Sequence, residues 1–101
     1  MGMTFDSKKE FERYLLLRDF QKQWLISELE CQVPFQLIET FKYKWQTILW
    51  VKYIADFVYK KWTEIIVEDV KSEITAWNPS YIIKKKLLLS LNPGINFVEI
   101  I

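Results

Sequence analysis

The chain has 101 residues, half of them hydrophobic and 17% aromatic, which suits a single domain over residues 1–101 with one modest core. It contains no histidine, and this excludes histidine-dependent catalytic triads, histidine-relay phosphodiesterases and most zinc sites. The formal net charge of +1 indicates no particular partner by itself.

The cysteine content bears on the redox compartment, and the hydropathy bears on whether the chain crosses a membrane. Cys31 is the single cysteine, so it forms no internal disulfide and fits a reducing cytoplasm. We interpret it as a small buried hydrophobic residue. No apolar run approaches the roughly 18 residues that cross a bilayer, so the sequence predicts no membrane span.

The first predicted element is a helix over about residues 6–23. Asp6 or Ser7 can cap its first turn, and Ser7 with Glu10 has the spacing of a capping box. A loose apolar stripe at helical spacing follows. Glu10 therefore has a structural explanation, as a cap, beside any functional one.

A strand is predicted next. From Leu29 to Leu37 apolar and polar residues alternate strictly, which is typical of a half-buried strand with one common apolar face. Pro34, on its polar side, indicates an edge position or a bulge. Residues 40–47 interleave basic and aromatic residues and are predicted to form a turn or the end of a hairpin.

Two long β-rich runs then predict the centre of a sheet. They cover residues 48–60 and 64–71, and both are apolar enough for strands covered on two faces. An Asn-Pro-Ser helix-start signal precedes a second helix at about 79–91, and a last strand follows at 96–100. The predicted fold is α/β, in the order αβββαβ, with a central mixed sheet.

Each central run carries an acid. Asp56 lies in the first run, and Asp69 and Lys71 share one face of the second, because alternate residues of a strand point the same way. Glu68 is expected to face away from them. If the two runs pair, the carboxylates of Asp56 and Asp69 come within roughly 6 Å, the span that one shared cation allows.

Two interpretations of these acids remain open from the spacing. Desolvating two like charges is costly unless a positive charge lies between them, and a divalent cation with Lys71 beside it supplies that charge. Without histidine, carboxylates, carbonyls and water are the available ligands, which suits Mg²⁺ or Mn²⁺ and phosphodiester hydrolysis. The alternative is a cross-strand ion pair of Asp56 with Lys71, with Asp69 in water at the strand end.

The order of an acid, then acid-x-lysine, between two helices resembles the PD-(D/E)XK nuclease superfamily. Within it, the segments FDSKKEFERY, YIADFVYK and VEDVKS resemble a family of small phage-encoded proteins whose function is largely unassigned. The resemblance runs from Thr4 to the terminal strand and implies a restriction-endonuclease-like core.

The resemblance also implies roles for particular residues. It implies that Asp56, Asp69, Lys71 and Glu10 are catalytic. It further implies that Mg²⁺ or Mn²⁺ is held by Asp56, Asp69 and Glu10, with the Val70 carbonyl as a further ligand. Lys71 would assist the attacking water.

By the same resemblance, the protein is expected to be a metal-dependent endonuclease acting on branched or recombination DNA, such as four-way junctions. The setting implied is a phage or prophage in the cytoplasm of a bacterial host, and the assembly a homodimer with tryptophans at its interface. The competing hypothesis is a non-catalytic nucleic-acid-binding or phage host-takeover protein that retains the nuclease fold.

Basic residues are expected to contact the DNA backbone. Lys84 and Lys85 lie on the second predicted helix, and Lys60 and Lys61 lie in the link between the central strands. Successive helical residues spread around the axis, so one or two lysines of the helix are expected to face the site. For each lysine the alternative is an ordinary solvated surface position.

Overall fold

Within residues 7–101, which the computed structural model describes, helices and strands alternate along the chain. In chain order the elements are α1 (Lys8–Lys22), β1 (Ser27–Ile38), β2 (Phe41–Tyr43), β3 (Gln46–Ile48), β4 (Val51–Lys61), β5 (Glu64–Val70), α2 (Glu73–Ala76), α3 (Pro79–Leu91) and β6 (Ile95–Ile100). In this part of the chain, no helix is both long and apolar enough to cross a membrane.

Four strands form the main sheet, in the order β1-β4-β5-β6. β1, β4 and β5 are antiparallel neighbours, and β6 runs parallel to β5. A parallel pair needs a crossover, which α2 and α3 provide. The predicted mixed sheet flanked by helices is confirmed, and Pro34 lies on an edge strand as expected.

The structure adds three elements to the predicted order. β2 and β3 form a separate two-stranded sheet within residues 41–48, and the short helix α2 precedes α3. The predicted continuous strand at 48–60 is therefore wrong at its start, because Ile48 ends β3 and β4 begins at Val51. The backbone N–H of Trp50 donates to Thr40 Oγ1 at 3.0 Å and closes the base of this hairpin.

Both long helices begin where capping chemistry predicts. Ser7 Oγ accepts the backbone N–H of Glu10 at 3.1 Å, while Asp6 lies outside the described residues. Asn78 Oδ1 accepts the backbone N–H groups of Ser80 and Tyr81, so Asn78 is the cap of α3. The hydroxyl of Ser7 and the amide of Asn78 thus satisfy N–H groups that the helices leave unpaired.

Two clusters of buried side chains lie on opposite faces of the main sheet. The α1 cluster consists of Leu17, Ile26, Phe57, Tyr59 and Ile66. The α3 cluster consists of Leu37, Tyr53, Ala55, Val67, Tyr81 and Leu88. Successive residues of β5, Ile66 and Val67, enter different clusters, as the alternation of a regular strand requires.

The edge strand β1 changes face part-way along. Leu29 and Cys31 pack against the α1 cluster, but Phe35 and Leu37 belong with the α3 cluster. The expectation of one common apolar face is therefore wrong. Gln32, with a φ of 54°, lies between the two halves, and this left-handed residue rotates the following side chains to the other face.

The central strand β4 changes face at the matching position. Tyr53 and Ala55 pack with the α3 cluster, whereas Phe57 and Tyr59 pack with the α1 cluster. The reversal falls at Asp56. Gln32 and Asp56 therefore lie opposite each other, between the pair Cys31–Phe57 and the pair Val33–Ala55.

We expect Leu88→Ala to lower the free energy of unfolding by about 3 kcal/mol, because this fully buried side chain fills the space between α3 and the sheet. Leu91→Ala, on the same helix but 53% exposed, is the matched control and should cost less than about 1 kcal/mol. Urea denaturation of both variants measures the difference. Equal losses would contradict this packing of α3.

Candidate functional site

One amide side chain joins two buried acids. Gln32 Nε2 donates to Glu10 Oε1 at 2.8 Å and to Asp56 Oδ1 at 3.4 Å. The second carboxylate oxygen of Asp56 accepts the backbone N–H of Val70 at 2.8 Å. Glu10 and Asp56 are 4% and 8% exposed, so these bonds hold both carboxylates in place at the point where the strands change face.

Asp69 is completely buried, yet its carboxylate is poorly satisfied. Neither oxygen has a hydrogen bond of good geometry within residues 7–101, although Lys71 Nζ lies 3.4 Å from Oδ1. Burial raises the pKa of Asp69 to about 6, while Lys71 and the backbone N–H of Asp56 act to lower it. A buried carboxylate in this state is unfavourable for folding and available to a ligand.

Lys71 pairs with Asp69 and also lies over an aromatic ring. Its Nζ is 5.2 Å from the centre of the Tyr81 ring. The alternative arrangement, in which Lys71 pairs with Asp56 and Asp69 sits in water, therefore does not occur. Asp56 and Asp69 lie on neighbouring strands, as predicted.

The acids line two adjoining clefts. The Asp69 cleft, of about 410 Å³, is lined by Lys52, Tyr53, Ile54, Asp69, Lys71, Thr75, Asn78, Ser80, Tyr81 and Lys84. The Asp56 cleft is lined by Ser7, Glu10, Asp56, Val70, Lys71, Ser72 and Thr75. Lys71 and Thr75 belong to both, so Lys71 stands between the two acidic groups.

The structure thus divides the residues that the sequence singles out. Glu10, Asp56 and Val70 come together in the Asp56 cleft, and Asp69 lies with Lys71 in the Asp69 cleft. As the side chains stand in residues 7–101, no three acidic or cysteine side chains form a ready-made cation site.

Three lysines surround the Asp69 cleft. Lys84 lines it as expected from its place on α3, together with Lys71 and Lys52. Lys52 is not predicted from the sequence, because a lysine at the start of a strand has no distinguishing pattern. Gln32 was missed for a similar reason, since a polar residue of an alternating strand is expected to face water.

The other three lysines expected at the DNA have partners or lie elsewhere. Lys85 Nζ is 3.3 Å from Glu99 Oε2, and the Tyr81 hydroxyl donates to the same carboxylate. Lys60 pairs with Glu28 at 2.9 Å. Lys60 and Lys61 lie at the β4–β5 turn, roughly 17 Å along β5 from Asp69.

Glu68 faces away from Asp69, as predicted, and is fully satisfied. Arg13 Nε donates to Oε1 and an Arg13 terminal nitrogen to Oε2, both at 2.7 Å, and the Tyr59 hydroxyl donates to Oε2. Glu68 is 1% exposed. Two adjacent acids of one strand thus have opposite environments, one paired on the α1 side and one without a hydrogen bond on the α3 side.

Residues 1–98 match the protein family described as "Protein of unknown function (DUF1064)". The chain belongs to this family. No curated protein and no solved structure matches it. The description of the DUF1064 family assigns no activity.

In metal-free buffer at pH 7, Asp69→Asn should raise the free energy of unfolding by about 1 kcal/mol, because it removes a buried charge that has no hydrogen bond. Glu68→Gln is the matched control on the same strand. It should lower that free energy by about 2 kcal/mol, because it breaks a paired carboxylate. Guanidinium denaturation in EDTA measures both. If both variants lose stability equally, Asp69 has an ordinary structural role.

Proposed function

We propose that this DUF1064 member is a Mg²⁺- or Mn²⁺-dependent DNA endonuclease with a restriction-endonuclease-like core. The observation that carries the proposal is the carboxylate of Asp69, which is buried without a well-formed hydrogen bond, 3.4 Å from Lys71 Nζ and next to the strand that carries Asp56. A protein that needed Asp69 only for folding would supply donors for it, as this chain does for Glu68. An unsatisfied acid kept in a cleft is typical of a functional site.

The residues around the clefts fit a hard divalent cation. Their candidate ligands are oxygen atoms, and the two oxygens of Asp69 lack hydrogen bonds within the described residues. Asp69, Asp56, Glu10 and the carbonyl of Val70 would hold the ion. When bound, the ion polarises a phosphoryl oxygen and lowers the pKa of a water molecule, which is the chemistry of phosphodiester hydrolysis.

The remaining roles belong to the chain itself. Lys71, 21% exposed between the two clefts, places its ammonium where negative charge develops on the phosphoryl group. Gln32 orients Glu10 and Asp56 by donating to both. Lys52 and Lys84, on the wall of the Asp69 cleft, bind flanking phosphates. The proposed products carry a 5′-phosphate.

One observation favours the rival function, a non-catalytic protein that retains the nuclease fold and binds nucleic acid or takes part in host takeover. Glu10 and Asp56 already have a structural partner in Gln32, and Asp56 has a second in the backbone N–H of Val70, so structural contacts account for their positions. The two functions differ in metal binding. The nuclease binds Mn²⁺ through Asp69, and the rival does not.

We further propose branched or recombination DNA of a phage or prophage as the substrate, in the cytoplasm of the bacterial host, and a homodimer as the assembly. A four-way junction needs two symmetric cuts, and one chain supplies one site. Exposed apolar side chains are available for pairing, since Ile74 and Trp77 on and beside α2 are 87% and 79% exposed. A stable dimer would bury about 800 Å² on each partner.

The first test is cleavage of matched duplex, single-stranded, flap and four-way-junction DNA. We expect hydrolysis in Mg²⁺ or Mn²⁺, none in EDTA and little in Ca²⁺, which acidifies water less. Asp69→Asn should lower the rate by about a hundredfold or more, and so should Lys71→Ala. Glu64→Gln, at an exposed acid of the β4–β5 turn, is the control and should cleave normally.

Calorimetric titration with Mn²⁺ complements the cleavage assay. The wild type and Glu64→Gln should bind the ion, and Asp69→Asn should lose most of the binding. Cleavage that persists in a folded Asp69→Asn protein would place the active site elsewhere. Absence of both cleavage and Mn²⁺ binding in the wild type would support the rival function.

Light scattering tests the assembly. The free protein should have about twice the mass of the 12.3 kDa chain, and binding of junction DNA should preserve the dimer. Trp77→Asp should produce monomers, because it places a charge in the paired apolar surface. Trp24→Asp, at a tryptophan that is 92% exposed, is the control. A wild-type monomer with nicking but no paired cuts would indicate a simple nickase.

A further inference from the structure

The hairpin of β2 and β3, which we call the arm (residues 41–48), stands apart from the main sheet. It forms its own two-stranded sheet, and its residues are exposed except for Ile48, which is half-buried. Between Trp45 at the tip and Val51, where β4 begins, an extended chain spans up to about 20 Å, so the tip can lie that far from the main sheet.

The charged side chains of the arm are all basic. The arm contains Lys42 and Lys44 and no acid, Lys52 follows near the start of β4, and Glu39 precedes the base of the arm at Thr40. Lys52 also lines the Asp69 cleft together with Lys71 and Lys84. Basic side chains thus lie both on the arm and in the wall of the cleft, although the formal net charge of the whole chain is only +1.

The tip of the arm presents a tryptophan that the fold does not use. Trp45 is 101% exposed, as open to solvent as in an extended peptide. Lys44 and Trp45 have φ values of 45° and 69°, in a hairpin turn where Asn-Gly is the favoured pair. Burial and turn geometry both leave the presence of an indole at this position unexplained.

We propose that the arm is a DNA-binding element in which Trp45 stacks on an unpaired base while Lys42 and Lys44 contact the adjoining phosphates. The two lysines of the arm, which has no acid of its own, are complementary to a polyanion. An indole face stacks on a base whose own face is open, which occurs in single strands and at branch points but not inside a duplex. The inference rests on the proposed function and gives it a substrate feature, DNA with unpaired bases near the cut.

Binding without cleavage isolates this inference. Fluorescence anisotropy of labelled single-stranded and four-way-junction DNA in EDTA should show about tenfold weaker binding for Trp45→Ala. Trp45→Tyr, which keeps an aromatic face, should stay within about threefold of the wild type. Trp62→Ala is the matched control, since Trp62 is 89% exposed, has a φ of 57° and follows a lysine at the opposite end of the main sheet. It should bind like the wild type.

The outcomes separate the arm from the nuclease. Normal binding by Trp45→Ala, or an equal loss in Trp62→Ala, overturns the arm even if the protein cleaves DNA. Weakened binding by Trp45→Ala supports the arm even if the protein never cleaves, a result that overturns only the nuclease. If Trp45→Ala instead changes the mass in light scattering and leaves DNA binding intact, the arm joins two copies of the chain and the inference is wrong.

Discussion

The contact between Gln32 and Asp56 is the constraint on which the site and much of the packing depend. It lies where β1 and β4 both change face, so that each strand packs against α1 along one half and against α3 along the other. In a regular pair of strands, the apolar side chains of each strand would stay on one face of the sheet along its whole length. The left-handed backbone at Gln32 costs roughly 1 kcal/mol, and in return the two acids of the Asp56 cleft are held by one amide.

Two neighbouring buried acids, Glu68 and Asp69, differ in how well their charge is compensated. The buried carboxylate of Glu68 is hydrogen-bonded as a stable fold requires, because Arg13 and Tyr59 donate to it and leave neither oxygen unpaired. Asp69, one residue later, is buried with Lys71 nearby but without a well-formed hydrogen bond. A fold that gives up stability at one acid, while satisfying its neighbour, has the form expected of a site kept for a ligand.

Basic residues are concentrated where the proposed DNA would lie. Lys52, Lys71 and Lys84 surround one cleft, and the arm carries Lys42 and Lys44 without an acid of its own. Lys60 is neutralised by Glu28 at the far end of the sheet, and Lys85 by Glu99. Net charge hides this distribution, because the acids and bases of a folded surface are separated in space rather than along the chain.

The sequence by itself determined the elements whose signals are local. The caps at Ser7 and Asn78, the helix at Pro79–Leu91 and the placement of Asp56 and Asp69 on neighbouring strands follow from short-range patterns of capping residues and periodicity. It also predicted that Glu68 and Asp69 face opposite ways, because alternation fixes side-chain direction in a regular strand.

Only the tertiary structure decided the rest. Gln32 lies where the strands change face and donates to both Glu10 and Asp56. Lys52 of β4 lines the same cleft as Asp69. Both arrangements bring together residues that are far apart in the chain. No local pattern encodes such pairs. In an alternating strand, a polar residue with a left-handed backbone cannot be distinguished by sequence from a polar residue that faces water. The sequence therefore predicted the candidate acids, but long-range packing decided which carboxylates have hydrogen-bond donors and which remain available to a ligand.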